Sequence, residues 1–196
     1  MAIGNNQFTG AAGQYFVSYG LAARQIHATI TLGNAPCVDV LCSSPKGDRL
    51  LSIQVKTSRW AAKNSYGEVG YNWDVGLGAA GKSSEQMWYA LVDLRDSGGV
   101  LDPIVYFVPS KWVGLFVERS FSRGIFYLKK SVAVKVANNW DYVSRYLSGD
   151  SAVAKWAASL DPDFRWWGSK DPYSSGQIEA MLRSGWRLDE NNCLVK

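Results

Sequence analysis

Leu50-Leu51-Ser52-Ile53-Gln54-Val55-Lys56-Thr57 decides the fold. It alternates with the period of two of a β-strand: Leu51, Ile53 and Val55 fall on one face, Ser52, Gln54 and Lys56 on the other. The first face is core. The second carries an amide and an amine two residues apart, pointing the same way near the strand's end. Just upstream, Cys37-Val38-Asp39-Val40-Leu41-Cys42 is a short apolar run with a single acid inside it. Between the two lies Ser43-Ser44-Pro45-Lys46-Gly47-Asp48-Arg49, rich in turn residues. Paired as a hairpin, the two runs bring Asp39 to the face of Gln54 and Lys56. A carboxylate, an amide oxygen and a lysine then share one patch of sheet.

On the N-terminal side, Thr9 to Ile26 reads as an amphipathic helix. Phe8, Ala12, Tyr15, Phe16, Tyr19, Ala22, Ala23 and Ile26 recur at spacings of three and four and form the expected buried stripe. Thr9 suits the N-cap, and Gly10 and Gly13 let the first turns approach another backbone closely. Ala28 to Leu32 is a candidate first strand. On the C-terminal side, the chain after Thr57 is irregular to Gly67, and Val69 to Val75 alternates again. Met87 to Leu94 and Ile104 to Val108 are near-continuous apolar runs, the pattern of strands covered on both faces. A helix is expected from Pro109-Ser110-Lys111 through Val117, and one or two short strands within Ile125 to Val136. Further helices are expected at Trp140–Leu147, Val153–Leu160 and Ser174–Ser184, with Asp161 to Tyr173 a loop. The order predicts an α/β fold with a mixed central β-sheet flanked by helices. It is read as a core over residues 1–137 with a helical C-terminal extension over 138–196, packed together as a single domain.

Composition narrows the class. The 196 residues suffice for a sizeable core. No apolar run nears the roughly 18 residues of a membrane span, and Met1 to Gly10 has neither basic start nor apolar centre, so a secretory leader is not expected. Cys37, Cys42 and Cys193 are an odd number without metal-site spacing, and Cys37 and Cys42 point to opposite faces of one strand. A reduced, cytoplasmic protein is the economical expectation. The net charge of +4 permits nucleic-acid binding without arguing for it. Nine tryptophans are read first as core anchors.

One carboxylate with a neighbouring oxygen ligand and a lysine suits metal-assisted phosphodiester hydrolysis. Mg2+ takes oxygen ligands and keeps several waters, so it needs few protein groups. A lysine beside it can orient the water or stabilise charge developing on phosphate. With Asp39 as the anionic ligand, Gln54 offers a neutral oxygen and Lys56 the cation. Each alone is ordinary surface chemistry; their joint placement is the signal.

The order of a Gly-Xaa-Xaa-Gly helix, Asp39, then Gln54-Val55-Lys56-Thr57-Ser58 resembles the PD-(D/E)XK nuclease superfamily, and within it small bacterial members with Gln in place of the usual Glu. The resemblance covers about the first third of the chain and extends loosely through Trp88–Leu94 and Val105–Ser110. It implies a restriction-endonuclease-like fold, with Asp39 at the motif's Asp, Gln54 at its second acid and Lys56 at its lysine. It also implies Mg2+ or Mn2+ held by Asp39 and Gln54, a duplex or branched DNA substrate, and a homodimer, since two strands must be cut. Gln14 stands where members often carry a helix Glu, so two of the three acids are neutral amides here. Lys46, Arg59, Lys63 and Lys82 are the candidate DNA contacts. The other classes are a catalytically degenerate DNA- or protein-binding module on the same fold, and a nucleotide binder. The latter rests on Gly76–Ser83, which matches the spacing of a phosphate-binding loop but lacks room for the helix that must follow it. Asp74, Glu68 and the single histidine, His27, are read as surface or structural residues.

Overall fold

The computed structural model describes residues 6–31, 38–65, 68–97, 99–119, 124–159, 182–188 and 194–195, with backbone alone at 63–65, 68–69, 96–97, 119, 188 and 194–195. Helix α1 (Asn6–Ala22) leads into β1 (His27–Ile30), β2 (Val40–Ser43) and β3 (Leu50–Ser58). A hairpin of β4 (Ala62–Ser65) and β5 (Glu68–Asp74) and a 3-10 turn (Leu77–Gly81) precede β6 (Met87–Asp93). After the two-residue strands β7 (Asp96–Ser97) and β8 (Val100–Leu101) come β9 (Ile104–Pro109), α2 (Ser110–Arg119), β10 (Ile125–Lys129) and α3 (Lys130–Val136). Helices α4 (Trp140–Leu147) and α5 (Ser151–Ala158) and the short pair β11 (Arg187–Leu188) and β12 (Leu194–Val195) follow.

The main sheet has the order β1-β2-β3-β6-β9. Strands β1, β2 and β3 are antiparallel, β3 and β6 parallel, β6 and β9 antiparallel. This is the expected mixed sheet with helices against both faces. Alternation along β3 holds: Leu51, Ile53 and Val55 are buried, and Ser52, Gln54 and Lys56 half-buried. Ile53 and Val55, with Trp88, Ala90, Val92 and Phe107, pack against Val17 and Leu21 of α1 and against α4 and α5. The opposite face (Tyr89, Leu91, Tyr106 and Val108) packs on Trp73, Trp112, Phe126 and α3. Both β6 and β9 are buried on two faces, which explains their continuous apolar sequence.

The edge of β9 is closed by side chains. Buried Asn139 accepts from Phe107 N at 3.0 Å and donates to Phe107 O at 3.1 Å, standing in for one residue of a missing neighbour strand. Asn138 Oδ1 accepts from Val105 N beside it.

Four expectations need correction. Helix α1 starts at or before Asn6, so Thr9 lies inside it. Its buried residues are Gly13, Val17, Gly20 and Leu21, while Phe8, Tyr15 and Tyr19 face outward. Glycines make the contact because only they fit: a Cβ on Gly13 would sit 1.9 Å from Thr57 Oγ1, and one on Gly20 2.3 Å from the Trp140 ring. Third, the irregular stretch after Thr57 contains β4, held by pairing with β5. Fourth, Ile125–Val136 is one strand followed by a helix; Val132, Ala133 and Val136 bury one helical face despite their β-branched neighbours. Gly76–Ser83 forms a 3-10 turn with no α-helix before β6, so its phosphate-loop spacing lacks the structure that would use it. Cys37, Cys193 and the stretch Asp161–Tyr173 lie outside the described residues, as does most of the expected helix at Ser174–Ser184.

Candidate active site

Asp39 stands immediately before β2, where the ladder slips. Val40 pairs with Ile53, yet Asp39 N donates to Ile53 O at 2.9 Å. The carbonyl that would next serve Val55 is displaced, and the Asp39 side chain takes its place: Oδ2 accepts from Val55 N at 2.7 Å. Oδ1 accepts from Gln14 Nε2 of α1 at 2.8 Å. The carboxylate is therefore clamped between the central strand and the first helix. A carboxylate offers about four acceptor positions, so two remain for a ligand.

Gln54 follows Ile53, the residue of β3 that pairs with Val40 at the end of the β2–β3 ladder. Its Oε1 is buried and has no hydrogen-bond partner. A buried acceptor without a donor costs about 1–3 kcal/mol, and the group that satisfies it must be a donor or a cation. Lys56 follows two residues on, on the same face by strand alternation, half-buried and without a hydrogen bond or ion pair among the described residues. Gln14 and Asp39 are thus joined directly, whereas Gln54 and Lys56, in register with Tyr89 and Leu91 of β6, lie on the face of β3 opposite the one that packs on α1.

The basic candidates divide. Arg59 is exposed just past the end of β3, at the same end of the strand as Lys56, and its Nε donates to Thr9 Oγ1 at 3.4 Å. Lys46 lies in the β2–β3 turn, at the opposite end of β3. Lys82 precedes β6, whose Met87 pairs with Ser52, and so belongs to that same far end. Lys63 lies on β4; its side chain is outside the described residues. Asp74 is exposed and accepts from Gly76 N at 3.0 Å, a turn role. His27 is an exposed first residue of β1.

Two features of this end of the sheet escape sequence reasoning. Thr57 Oγ1 is buried without a partner against Gly13; the signal available was the helix Gly-Xaa-Xaa-Gly beside a strand threonine. Asp93, 2% exposed, pairs in register with Ser58. It accepts from Ala61 N at 3.2 Å and from Arg95 Nε at 3.3 Å, which ties the start of the β4–β5 hairpin to β6. No local pattern marked it.

Neither Asp39 nor Gln54 belongs to a cluster of three or more His, Cys, Asp or Glu, and no such cluster occurs among the described residues. The donor set present is one carboxylate with two open positions and one orphaned amide oxygen, all hard oxygen. Oxygen of this kind is the ligand type that Mg2+ and Mn2+ take.

No helix among the described residues is long and apolar enough to cross a membrane. No family model matches the chain, and no curated protein matches it. Among solved structures it is similar to a bacterial homing endonuclease, I-Ssp6803I, at 15% sequence identity and a TM-score of 0.49, over 76% of this chain and 99% of that one.

Proposed function

We propose that the chain is a metal-dependent endonuclease of the PD-(D/E)XK type that hydrolyses phosphodiester bonds of duplex or branched DNA. Gln14, Asp39, Gln54 and Lys56 are its working residues, and Arg59 is a backbone contact beside them. The observation that carries this reading is the Asp39 carboxylate, held by Val55 N and Gln14 Nε2 with acceptor positions left open at the end of the β2–β3 ladder, beside the strand that carries Gln54 and Lys56.

Asp39 and Gln54 are the groups that would hold Mg2+ or Mn2+. Bound there, the cation would polarise the phosphate and lower the pKa of a coordinated water. Gln14 fixes the carboxylate orientation through its 2.8 Å bond, so that no reorganisation accompanies binding. Lys56 places a donor where the phosphate oxygens gain charge as water adds and the bond to the leaving oxygen breaks. Half-burial strengthens that interaction over its value in bulk water. Cutting both strands of a duplex calls for two such sites and hence two copies of the chain.

The test is incubation with plasmid and branched DNA in Mg2+ or Mn2+. Cleavage is expected from the wild-type chain and its loss, by a factor on the order of 10²–10³ or more, from Asp39→Ala and Lys56→Ala. Cleavage surviving in either variant would sink the assignment.

One observation favours a second reading, a binding module on a degenerate nuclease fold: two amides occupy positions where acids are expected, leaving Asp39 as the sole carboxylate of the motif among the described residues. Calorimetric binding of Mn2+ that disappears in Asp39→Ala counts against that alternative.

A further inference from the structure

Helix α1 presents its aromatic side chains to solvent. Phe8, Tyr15 and Tyr19 are 71%, 68% and 73% exposed, and at about 100° per residue they lie within roughly 40° of one another around the axis. Ala12 continues the stripe. The helix holds no charged residue in its 17 positions. At its N-terminal end Leu101 joins Phe8 and Ala12 around a shallow groove of about 220 Å³. A contiguous apolar patch of this extent on a folded chain marks a contact surface.

We propose that this face of α1 pairs with the same face of a second copy of the chain, the two helices antiparallel about a two-fold axis that crosses between Gly13 and Gln14. Self-complementarity and charge choose that occupant, and area sets how far the contact must extend. The stripe is self-complementary in this register: Phe8 meets the partner's Tyr19, and Ala12 meets the partner's Tyr15, a ring over a methyl, as a two-fold interface requires. Charge agrees. Helix α1 itself carries no charge, and Arg59, which lines the groove at the Phe8 end, is set against the partner's uncharged Tyr19 end by the antiparallel register and not against its own copy. The aromatic stripe alone supplies part of the area of a standard interface. Aromatic rings bury about 150–250 Å² each, so at their exposures these three supply roughly 300–500 Å² per copy. A standard interface takes about 800 Å² per partner, and Ala12 and Leu101 lie alongside to extend the contact.

Gln14 lies about 120° around the helix from the stripe, on the side that bonds Asp39. Pairing and the candidate active site therefore use different faces of α1. The pairing supplies the two copies that duplex cleavage calls for, but it does not rest on cleavage: a dimer without nuclease activity leaves it standing, and cleavage by a monomer removes it alone.

The experiment is sedimentation velocity on the full chain, without DNA or metal, from about 1 to 100 µM, a range that brackets transient and stable dimers. The wild type is expected to dimerise. Tyr15→Glu and Ala12→Lys, both at exposed positions, should each raise the dimer dissociation constant by on the order of 100-fold, with unchanged circular dichroism and melting. An equimolar mixture of the two variants should recover a heterodimer, because the introduced glutamate and lysine face each other in the antiparallel register. A wild type that stays monomeric at the highest concentration overturns the proposal, and so does dimerisation that persists in both variants. A mixture that stays monomeric overturns the register.

Discussion

Alanine at position 13 sets two effects of opposite sign against each other. Propensity alone favours alanine over glycine in a helix interior by about 1 kcal/mol. Against it, the new methyl would lie 1.9 Å from Thr57 Oγ1, 2.9 Å from its Cβ and 3.0 Å from its Cγ2. Optimal contact is near 3.5 Å or more, so the overlap at Oγ1 is about 1.5 Å. Rotating Thr57 about its Cα–Cβ bond does not relieve it, since Cβ itself is too close and sits on the central strand. Helix α1 must instead lift from β3, which loosens Val17 and Leu21 against Ile53 and Val55. Overpacking of this sort costs about 1–3 kcal/mol, and the severity of the overlap places it at the upper end. The net expectation for Gly13→Ala is a loss of roughly 1–2 kcal/mol, or a fall in Tm of about 2–8 °C for a chain of this size. Urea unfolding of Gly13→Ala, Thr57→Ala and the double variant measures it. Thr57→Ala deletes Oγ1 and Cγ2, and Oγ1 has no partner to lose, so the double variant should recover at least about 1 kcal/mol of coupling. A Gly13→Ala protein as stable as wild type, or more so, refutes the close seating of α1 on β3, and with it the origin of the Gln14–Asp39 bond.

Two further outcomes follow from groups away from the site. Asn139→Ala strips both polar partners from buried Phe107 and reopens the β9 edge, so chemical denaturation should show a loss of about 2–4 kcal/mol; a loss under 0.5 kcal/mol would show that the amide is dispensable there. Burial pushes Tyr106 up to about 12, with Tyr71 adding to the effect and the Arg95 guanidinium opposing it. Its folded value lies above its unfolded one, so its contribution is complete below about pH 10 and is lost as pH climbs from 10 to 12. The loss amounts to about 2–3 kcal/mol, and urea midpoints across that window should flatten in Tyr106→Phe.

Legibility in the sequence tracked how local the cause was. Strand β3 and its hairpin with β2 were readable because alternation and a turn cluster are both local, and alternation also assigns Gln54 and Lys56 to one face. The buried strands β6 and β9 announced themselves by continuous apolar composition. Helix α1 was legible as a helix and illegible in orientation. Counting apolar side chains selected Phe8, Tyr15 and Tyr19, whereas the sheet accepts only a surface with no Cβ at Gly13 and Gly20, a demand set by Thr57 and Trp140 far along the chain. Strand β4 failed for the same kind of reason: Ala62-Lys63-Asn64-Ser65 has no strand character of its own and is held by pairing with β5. In α3 the valines suggested a strand, and the tertiary burial of Val132, Ala133 and Val136 decided otherwise.

The two neutral amides change the physics of the site rather than simply weakening it. A carboxylate in place of the Gln14 amide, at its 2.8 Å approach to Asp39 Oδ1, would set two like charges together, and such a pair raises one carboxyl's pKa or awaits a cation to separate it. The Gln14 amide donates instead, so Asp39 is satisfied by Gln14 and Val55 alone and holds its orientation without metal. Gln54 is the opposite case: its oxygen has no donor and bears the cost of burial until something arrives. On the reading proposed, one carboxylate and one amide oxygen bind a divalent cation weakly by themselves. The DNA phosphate then supplies the missing negative charge. Metal and substrate affinities should therefore rise together, a coupling that a site built on three carboxylates has less need of.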